Sequence, residues 1–182
     1  MKAIIISAIV AAVISGCVSG GGYRPVSDQL PSLTVAFADS AWTGNAIPNE
    51  GVCSNFGGKD MSPALKVSGI PAGANAIIIQ FNDRDYGPLS SGGGHGTLGY
   101  WVTGTSATLP AVKGFGTDVP DGVFIEAPAY GTGAYRSPGY LAACSGGRGH
   151  TYEAVIKAVY KAKKSGEESR LLAESVLAIG RY

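Results

Sequence analysis

Residues 76–85 carry the sequence Ala-Ile-Ile-Ile-Gln-Phe-Asn-Asp-Arg-Asp, and this stretch decides the fold. From Ala76 to Phe81 almost every position is apolar, so both faces of an extended segment would be apolar. Such a strand is typical of the centre of a sheet that is covered on both sides. We therefore predict a central strand over residues 76–81, which delivers the polar residues after it to one end of the sheet.

A second long strand is predicted over residues 150–162, where the side chains alternate with a period of two. One face would be buried and the other half-wet. The buried face would carry Tyr152, Ala154, Ile156, Ala158 and Tyr160. Shorter strands are predicted at 32–37, 64–67 and 98–103. The stretches 43–63, 82–96 and 114–149 have loop-like compositions, and long loops in a compact domain are usually functional.

The end of the chain predicts a helix after Gly166. Two glutamates follow this glycine, and negative charge suits the N-terminal end of a helix. Leu172, Val176 and Ile179 would form the apolar stripe, and Gly180 would end the helix. The expected architecture is therefore mainly β, with one C-terminal helix packed on the sheet.

Composition indicates one globular domain. The chain is 45% hydrophobic and 15% charged, which is not the balance of a disordered chain. The 28 glycines and 10 prolines favour the many turns of an all-β domain. A net charge of +1 provides no basic stripe for phosphate backbones, so we expect no nucleic-acid partner.

The N-terminus has the pattern of a secretory signal. Met1-Lys2 is followed by an apolar run from Ala3 to Ile14 and then by small residues. That run is shorter than the roughly 20 residues of a membrane-spanning helix. The alternative is a buried helix that begins the fold, but the run has no polar face. Ile14-Ser15-Gly16-Cys17 resembles a bacterial lipobox, in which the cysteine is acylated and the chain is cut just before it.

These features divide the chain into a signal peptide at 1–16, a lipidated N-terminus and tether at 17–30, and one domain at 31–182. Glycines at 20–22 favour a flexible tether. A multiply acylated Cys17 would anchor the chain firmly. The expected location is the bacterial cell envelope, lipid-anchored and facing the periplasm or the cell exterior. Soluble secretion with an unmodified Cys17 is the alternative.

Cys53 and Cys144 remain as an even pair once Cys17 is acylated. In an oxidising compartment such a pair is expected to form a disulfide, the alternative being two free buried thiols. No Cys-x-x-Cys or Cys/His cluster at zinc spacing occurs, so the sequence predicts no metal and no cofactor.

Few side chains in this sequence could carry a site. The only histidines are His95 and His150, each after a glycine-rich stretch, and Asp83 and Asp85 follow the buried strand. Tyr152 lies two residues after His150 and therefore on the same strand face. Alternatively, the aspartates only shape a turn, the histidines decorate the surface and Tyr152 is core.

Three segments resemble the phosphatidylethanolamine-binding protein family, also called the Raf kinase inhibitor-like family. Residues 61–67, Met-Ser-Pro-Ala-Leu-Lys-Val, followed by Ile-Pro-Ala-Gly at 70–73, resemble its Ser-Pro-x-Leu-x-Trp and Pro-x-Gly pattern. Asn-Asp-Arg-Asp at 82–85 stands in the place of its Asp-Pro-Asp-x-Pro. Residues 139–152 resemble its Tyr-x-Gly-Pro-Cys-Pro-Pro-x-Gly and His-x-Tyr. Cys53 matches a cysteine that bacterial members often carry.

The departures from the family concern rigidity and one histidine. Both prolines of Asp-Pro-Asp-x-Pro are absent, with Arg84 and Gly87 or its neighbours in their places. The Pro-Cys-Pro-Pro loop has become Ala-Cys-Ser-Gly at 143–146, so these loops are expected to be less rigid. The family's central histidine corresponds either to His95 or to Tyr100.

The resemblance implies a β-sandwich with a small anion pocket walled by Asp83, Asp85, His95, His150 and Tyr152. Imidazolium groups and a phenol can donate charge-assisted hydrogen bonds to a phosphate. Ionised aspartates only accept, so their expected role is to hold the imidazoles in one tautomer and to favour protonation. One aspartate could also accept from an amine head group.

Three functions compete at this point. The first is a non-enzymatic binding protein whose partners are a phospholipid head group or another small phosphate-type anion, and the membrane through the acylated cysteine. The second is a protein inhibitor of a peptidase. The third is a hydrolase in which two histidines and two aspartates hold a metal and activate water. The third is disfavoured because neither a metalloprotease helix motif nor a Gly-x-Ser-x-Gly elbow is present, and no catalytic residue is assigned.

Overall fold

The computed structural model describes residues 22–182. The predicted signal peptide and the lipid-attachment residue Cys17 lie outside this range. Nine strands occur within it: β1 Arg24–Pro25, β2 Thr34–Phe37, β3 Leu65–Ser68, β4 Ala76–Asp83, β5 Thr97–Trp101, β6 Ser106–Leu109, β7 Val123–Ala127, β8 Thr151–Tyr160 and β9 Arg170–Arg181. Four single-turn 3-10 helices lie at Asn49–Gly51, Ser54–Phe56, Gly87–Leu89 and Gly133–Tyr135. From residue 22 onward, none of the helices has the length and apolar character that a membrane crossing requires.

The strands form two sheets. The larger sheet has the order β1-β9-β8-β4-β5-β7, and the smaller has the order β2-β3-β6. Neighbouring strands are antiparallel except for β1, which runs parallel to β9. The main hydrophobic core combines Leu65 and Val67 of the small sheet with side chains of β4, β5 and β8. This confirms the predicted mainly β sandwich.

Strand β4 lies in the interior of the larger sheet, and all eight of its residues are buried. Ile77 and Ile79 belong to the main core between the sheets. Ile78 points to the opposite face, where it packs in a second cluster with Tyr23 and Leu171. Full burial of such a side chain stabilises a fold by roughly 1.5–3 kcal/mol. The predicted central strand with two apolar faces is thus confirmed, and it extends to Asp83.

Strand β8 is the other long predicted strand. Its burial alternates through Ala154, Ile156 and Ala158, which are fully buried, while the residues between them are largely half-buried. It pairs with β4 on one side and with β9 on the other. The two strands that carry the candidate site residues are therefore neighbours.

The predicted C-terminal helix is wrong, since Arg170–Arg181 forms strand β9 and no α-helix occurs within residues 22–182. The supposed stripe does not share one buried face, because Val176 is 63% exposed whereas Ile179 is buried. Pairing with the whole length of β8 satisfies the backbone of this segment. That tertiary pairing outweighs the local helical spacing.

Two more segments differ from what the sequence predicts. Strand β7 lies within 114–149, a stretch whose composition is typical of a loop, and it pairs with β5. At the start of the described chain Tyr23 is buried and β1 pairs with β9, so residues assigned to the tether pack on the large sheet. Tyr23 also donates a hydrogen bond to Glu126 (2.8 Å), which fastens this segment to β7.

Cys53 and Cys144 are joined by a disulfide, with 5.2 Å between their Cα atoms, as predicted. Backbone hydrogen bonds run beside the bridge, from Cys53 N–H to Ala143 O (2.9 Å) and from Ala143 N–H to Gly51 O (3.1 Å). The bridge therefore secures the segment before residue 57 to the chain just ahead of β8.

Candidate binding site

The site lies where β4 ends and β8 begins. Asp83, the last residue of β4, is paired in register with Tyr152. A cavity of about 370 Å³ opens at this end of the sheet. Its walls come from five loop or strand-end segments and are formed by Asp83, Tyr86, Pro88, Leu89, His95, Tyr130, Gly131, Thr132, Tyr135, Leu141, Cys144, Ser145, Arg148 and His150.

Asp83 and His150 form a close pair in this cavity. His150 Nδ1 lies 2.7 Å from Asp83 Oδ2, and the carboxylate is almost completely buried. The other oxygen, Oδ1, accepts from the backbone N–H of Asp85 at 3.0 Å. Because an ionised carboxylate only accepts, Nδ1 of His150 carries the hydrogen and Nε2 is left for other partners.

Asp85 does not line the cavity. Its Oδ2 accepts from the backbone N–H of Thr151 at 2.6 Å, at the start of β8. This hydrogen bond lowers the pKa of the Asp85 carboxyl below its usual value. Asp85 thus connects the loop after β4 to β8, a structural contact that also keeps Asp83 and His150 side by side.

His95 lines the cavity but lies deeper than His150. It is 3% exposed, and its Nδ1 lies 2.8 Å from the carbonyl oxygen of Leu141. Since a carbonyl can only accept, Nδ1 is the protonated nitrogen. Burial lowers the pKa of the imidazole, against smaller opposing effects of the Leu141 carbonyl and of Asp83. Nε2 is buried and has no hydrogen-bond partner among residues 22–182.

The glycine-rich loop before His95 is held by Asn82, which the sequence did not single out. Asn82 Oδ1 accepts from the backbone N–H groups of Gly93 (2.9 Å) and Gly94 (3.3 Å). A Cβ at Gly94 would lie 2.3 Å from the backbone of Leu89, and only glycine permits this approach. The loop packs tightly, and this packing positions His95.

Tyr152 lies behind the cavity wall. Its ring meets that of His95 edge to face at 5.3 Å between centroids, and its hydroxyl oxygen accepts from Cys144 N–H at 3.3 Å. Burial raises the pKa of this phenol to about 12. Together with His95 and Asn82 it borders a separate void of about 10 Å³. Tyr100, the alternative to His95, belongs to the main core and does not line the larger cavity.

Several wall residues were not predicted from the sequence. Arg148 lies in the loop Gly-Gly-Arg-Gly just before His150, and Ser145 follows the disulfide. A charged residue flanked by glycines beside a candidate histidine was a signal that could have identified Arg148. Tyr86, Tyr130 and Tyr135 lie in stretches of loop-like composition and carried no periodic signal.

No candidate metal centre occurs among the side chains of the described residues. Within residues 22–182 there is no group of three or more His, Cys, Asp or Glu side chains arranged to hold a metal ion. Asp83 is bonded to His150, Asp85 to Thr151, and His95 Nδ1 to Leu141. The donors of the cavity are therefore arranged for hydrogen bonding.

This two-sheet architecture is the fold of the phosphatidylethanolamine-binding proteins, as the sequence resemblance implied. One solved structure that shares it is Escherichia coli YbcL, described as a new member of the mammalian family, with a TM-score of 0.52 and 24% identity over 82% of this chain and 98% of that chain. Another is the putative homologue CT736 from Chlamydia trachomatis, with a TM-score of 0.50 and 19% identity over 83% of this chain and 97% of that chain. No family model and no curated protein matches the sequence.

Proposed function

We propose that this protein is a lipid-anchored binding protein of the bacterial cell envelope whose cavity holds a phospholipid head group or a similar phosphate-type ligand. The observation that carries the proposal is the pairing of His150 with the buried Asp83 in a cavity that also contains Arg148. An oriented imidazole and a guanidinium at one strand end are the groups that bind phosphate oxygens.

The positive charge of the site comes from Arg148. Its guanidinium forms no ion pair with any residue of the described chain. Ser145 also lines the cavity, but its hydroxyl already donates to a main-chain oxygen of Tyr182 (2.6 Å). Arg148 is thus a cationic group able to contact the ligand, and His150 can donate from Nε2 to a phosphate oxygen when its imidazole carries both hydrogens.

His95 has a different role from the one expected from the sequence. Its lowered pKa keeps the imidazole neutral at neutral pH, and Nδ1–H is engaged by Leu141. Nε2 is then an acceptor. His95 therefore supplies no positive charge to the anion, and it suits a ligand atom or a water molecule that carries a hydrogen.

The envelope location is supported by two independent observations. The sequence around Cys17 resembles a lipobox, and a disulfide joins Cys53 to Cys144, a pairing typical of oxidising compartments. Arg24 pairs with Arg170, which pairs with Tyr160 at the far end of β8 from His150. Because β8 has 10 residues, the described chain starts roughly 30 Å from the cavity. With an anchor at Cys17, the tether would join the described chain at the end of β8 remote from the cavity.

A protein inhibitor of a peptidase is the second candidate. It would use exposed loop side chains, and three tyrosines are exposed here. They line a concave cavity, however, and such a surface suits a small molecule better than the active-site cleft of another protein. A metal-dependent hydrolase finds no support in the donor set of residues 22–182.

Titration calorimetry on the mature full-length protein in detergent tests ligand binding. Inorganic phosphate and glycerol phosphate should bind, and both His150→Ala and Arg148→Ala should weaken binding by about 1.5–3 kcal/mol, the range for a hydrogen bond to a charged group. Arg136→Ala is the matched control, because Arg136 is exposed and does not line the cavity. Unchanged affinity in both cavity variants would refute the proposed site.

Fractionation of cells tests the anchor. Cys17→Ser should move the protein from the membrane to the soluble extracytoplasmic fraction, because the acceptor of the acyl chains is removed. Persistence of the serine variant in the membrane fraction would show that the lipobox interpretation is wrong. Native mass spectrometry of the wild-type protein would identify the ligand that it carries.

A further inference from the structure

Three exposed tyrosines line the cavity, one from the loop after β4 and two from the loop after β7. Tyr86, Tyr130 and Tyr135 are 51%, 52% and 42% exposed. Only seven large hydrophobic side chains are this exposed within residues 22–182, and the other four lie outside this cavity. Single exposed hydrophobic residues are ordinary, but a cluster at one concave site is typical of ligand contact.

The loops that carry these rings are ordered by hydrogen bonds. Tyr130 is held at both ends on the glycine-rich loop, since its N–H donates to Gly94 O (2.9 Å) and its hydroxyl to Gly92 O (3.0 Å). Tyr86 directly precedes the 3-10 helix Gly87–Leu89, and its carbonyl accepts from Leu89 N–H at 2.8 Å. Tyr135 ends the 3-10 helix Gly133–Tyr135. The rings are thus carried on ordered backbone, as pre-organised binding requires.

The cavity is too large for a phosphate ion alone. Its volume of about 370 Å³ is at the lower end of small-molecule sites, and it equals that of about a dozen water molecules. A phosphate has one phosphorus and four oxygen atoms, so a phosphate beside His150 and Arg148 would fill only part of this volume. The lining of the cavity also includes Tyr86, Tyr130, Tyr135 and Pro88.

We propose that the ligand is a phosphate ester whose organic group is a ring, with the phosphate beside His150 and Arg148 and the ring packed against the tyrosines. The inference rests on the proposed phosphate binding and adds the chemical class of the esterified group. Flat faces of aromatic rings or sugars pack well on tyrosine rings, whereas an acyclic chain such as glycerol makes less contact. The tyrosines then form the specificity subsite.

Four probes separate the two parts of the site: inorganic phosphate, glycerol phosphate, glucose 1-phosphate and phenyl phosphate. We expect glycerol phosphate to bind about as well as inorganic phosphate. At least one of the two ring esters should bind about fivefold to tenfold tighter than glycerol phosphate, as one or two ring contacts imply. Comparison of the two ring esters distinguishes a sugar from an aromatic ligand.

Variants of the three tyrosines test which side chains cause the preference for a ring ester. Tyr86→Ala and Tyr135→Ala should reduce the affinity for the preferred ring ester by about threefold or more and leave the affinity for inorganic phosphate unchanged. Tyr130→Phe keeps the ring and should keep the preference. Trp101→Ala is the matched control. Trp101 is also an exposed aromatic residue (43%), but it lies at the end of β5 that is remote from His95 and does not line the cavity.

The inference is overturned if neither ring ester binds more tightly than glycerol phosphate, or if the tyrosine variants weaken inorganic phosphate as much as the ring ester. Failure of the proposed function has a different signature. In that case wild-type protein binds no inorganic phosphate, and the ratio between ring and acyclic esters still reports on the tyrosine subsite.

Discussion

Asp83 Oδ2 and His150 Nδ1 are 2.7 Å apart, although 67 residues separate them in the chain. The contact exists because β4 and β8 pair antiparallel, with Asp83 opposite Tyr152. The carboxylate is buried and uses both oxygens, one for His150 and one for the backbone N–H of Asp85. Asp83 therefore orients the imidazole rather than contacting an anion, from which its own charge would be repelled.

Replacement of Asp83 separates orientation from charge. Asp83→Ala removes a negative charge from the cavity, which by itself would favour an anion, but it also releases His150. We expect the release to dominate, since an unoriented imidazole loses most of its hydrogen bond, and phosphate binding should weaken by about 1–2 kcal/mol. Titration calorimetry with inorganic phosphate measures the change. Asp83→Asn, which retains an acceptor for Nδ1–H, is the control that should bind more tightly than Asp83→Ala.

A higher phosphate affinity in Asp83→Ala than in wild type would contradict the orienting role. It would mean that the carboxylate acts mainly as a repelling charge. Urea unfolding of both variants checks that the comparison is made between folded proteins.

The part of the fold that follows from local pattern was predictable. The apolar run from Ala76 to Phe81 and the alternation from Tyr152 to Ala158 identify the two central strands without any tertiary information. Strand β9 is different, because its residues Leu172, Val176 and Ile179 also satisfy a helical spacing. Only the pairing with β8, which spans nearly its whole length, decides for a strand.

The candidate site was also predictable only where its residues adjoin a local sequence pattern. His150 and Asp83 were accessible because they adjoin recognisable strands, and the structure brings them together. Arg148 and the three tyrosines of the cavity lie in loops whose paths depend on distant contacts, such as that of Tyr130 with Gly92. The neutral state of His95 was also beyond the sequence, because it depends on burial and on the carbonyl of Leu141.

The disulfide should contribute a large share of the stability. Cys53 and Cys144 are 91 residues apart, and closing so long a loop restricts the unfolded chain. We expect the double variant Cys53→Ala/Cys144→Ala to lose about 2–5 kcal/mol of unfolding free energy. Urea denaturation measures it, and Cys17→Ser, which leaves the bridge intact, should unfold like wild type.

The state of the two cysteines is checked directly by thiol labelling of the denatured, unreduced protein. Neither Cys53 nor Cys144 should react. Full labelling of both, or an unchanged unfolding free energy in the double variant, would contradict the assigned contribution of the bridge.

Asn82 should be essential for the loop that carries His95. Asn82→Ala leaves the buried N–H groups of Gly93 and Gly94 without their acceptor, at a cost of about 1–3 kcal/mol for each group left unpaired. We expect lower stability in urea unfolding and faster amide hydrogen exchange at Gly93 and Gly94. Asn82→Asp keeps an acceptor oxygen in place and should lose less; equal losses in the two variants would show that the hydrogen bonds are not the cause.

The buried His95 should make the protein less stable as the pH falls below neutrality. In the unfolded chain this imidazole titrates near its usual pKa of 6.5, whereas burial lowers its pKa in the folded protein. Among the groups around it, Asp83 and the Leu141 carbonyl favour the proton and His150 opposes it, but desolvation is the largest effect. Between the two pKa values the unfolded chain binds more protons, so the unfolding free energy rises with pH there, by up to about 1.4 kcal/mol per pH unit. Above pH 6.5 and below the folded pKa this contribution is constant.

The measurement is urea unfolding of wild type and His95→Gln at several pH values from 7.5 to 4.5. Glutamine does not titrate, and its amide N–H can still donate to Leu141 O, so the variant should lack the His95 contribution to the slope. Carboxylates affect both proteins alike, and the difference between the two curves isolates His95. Parallel curves throughout would mean that His95 has the same pKa in the folded and unfolded chains. Burial would then not disfavour the protonated imidazole.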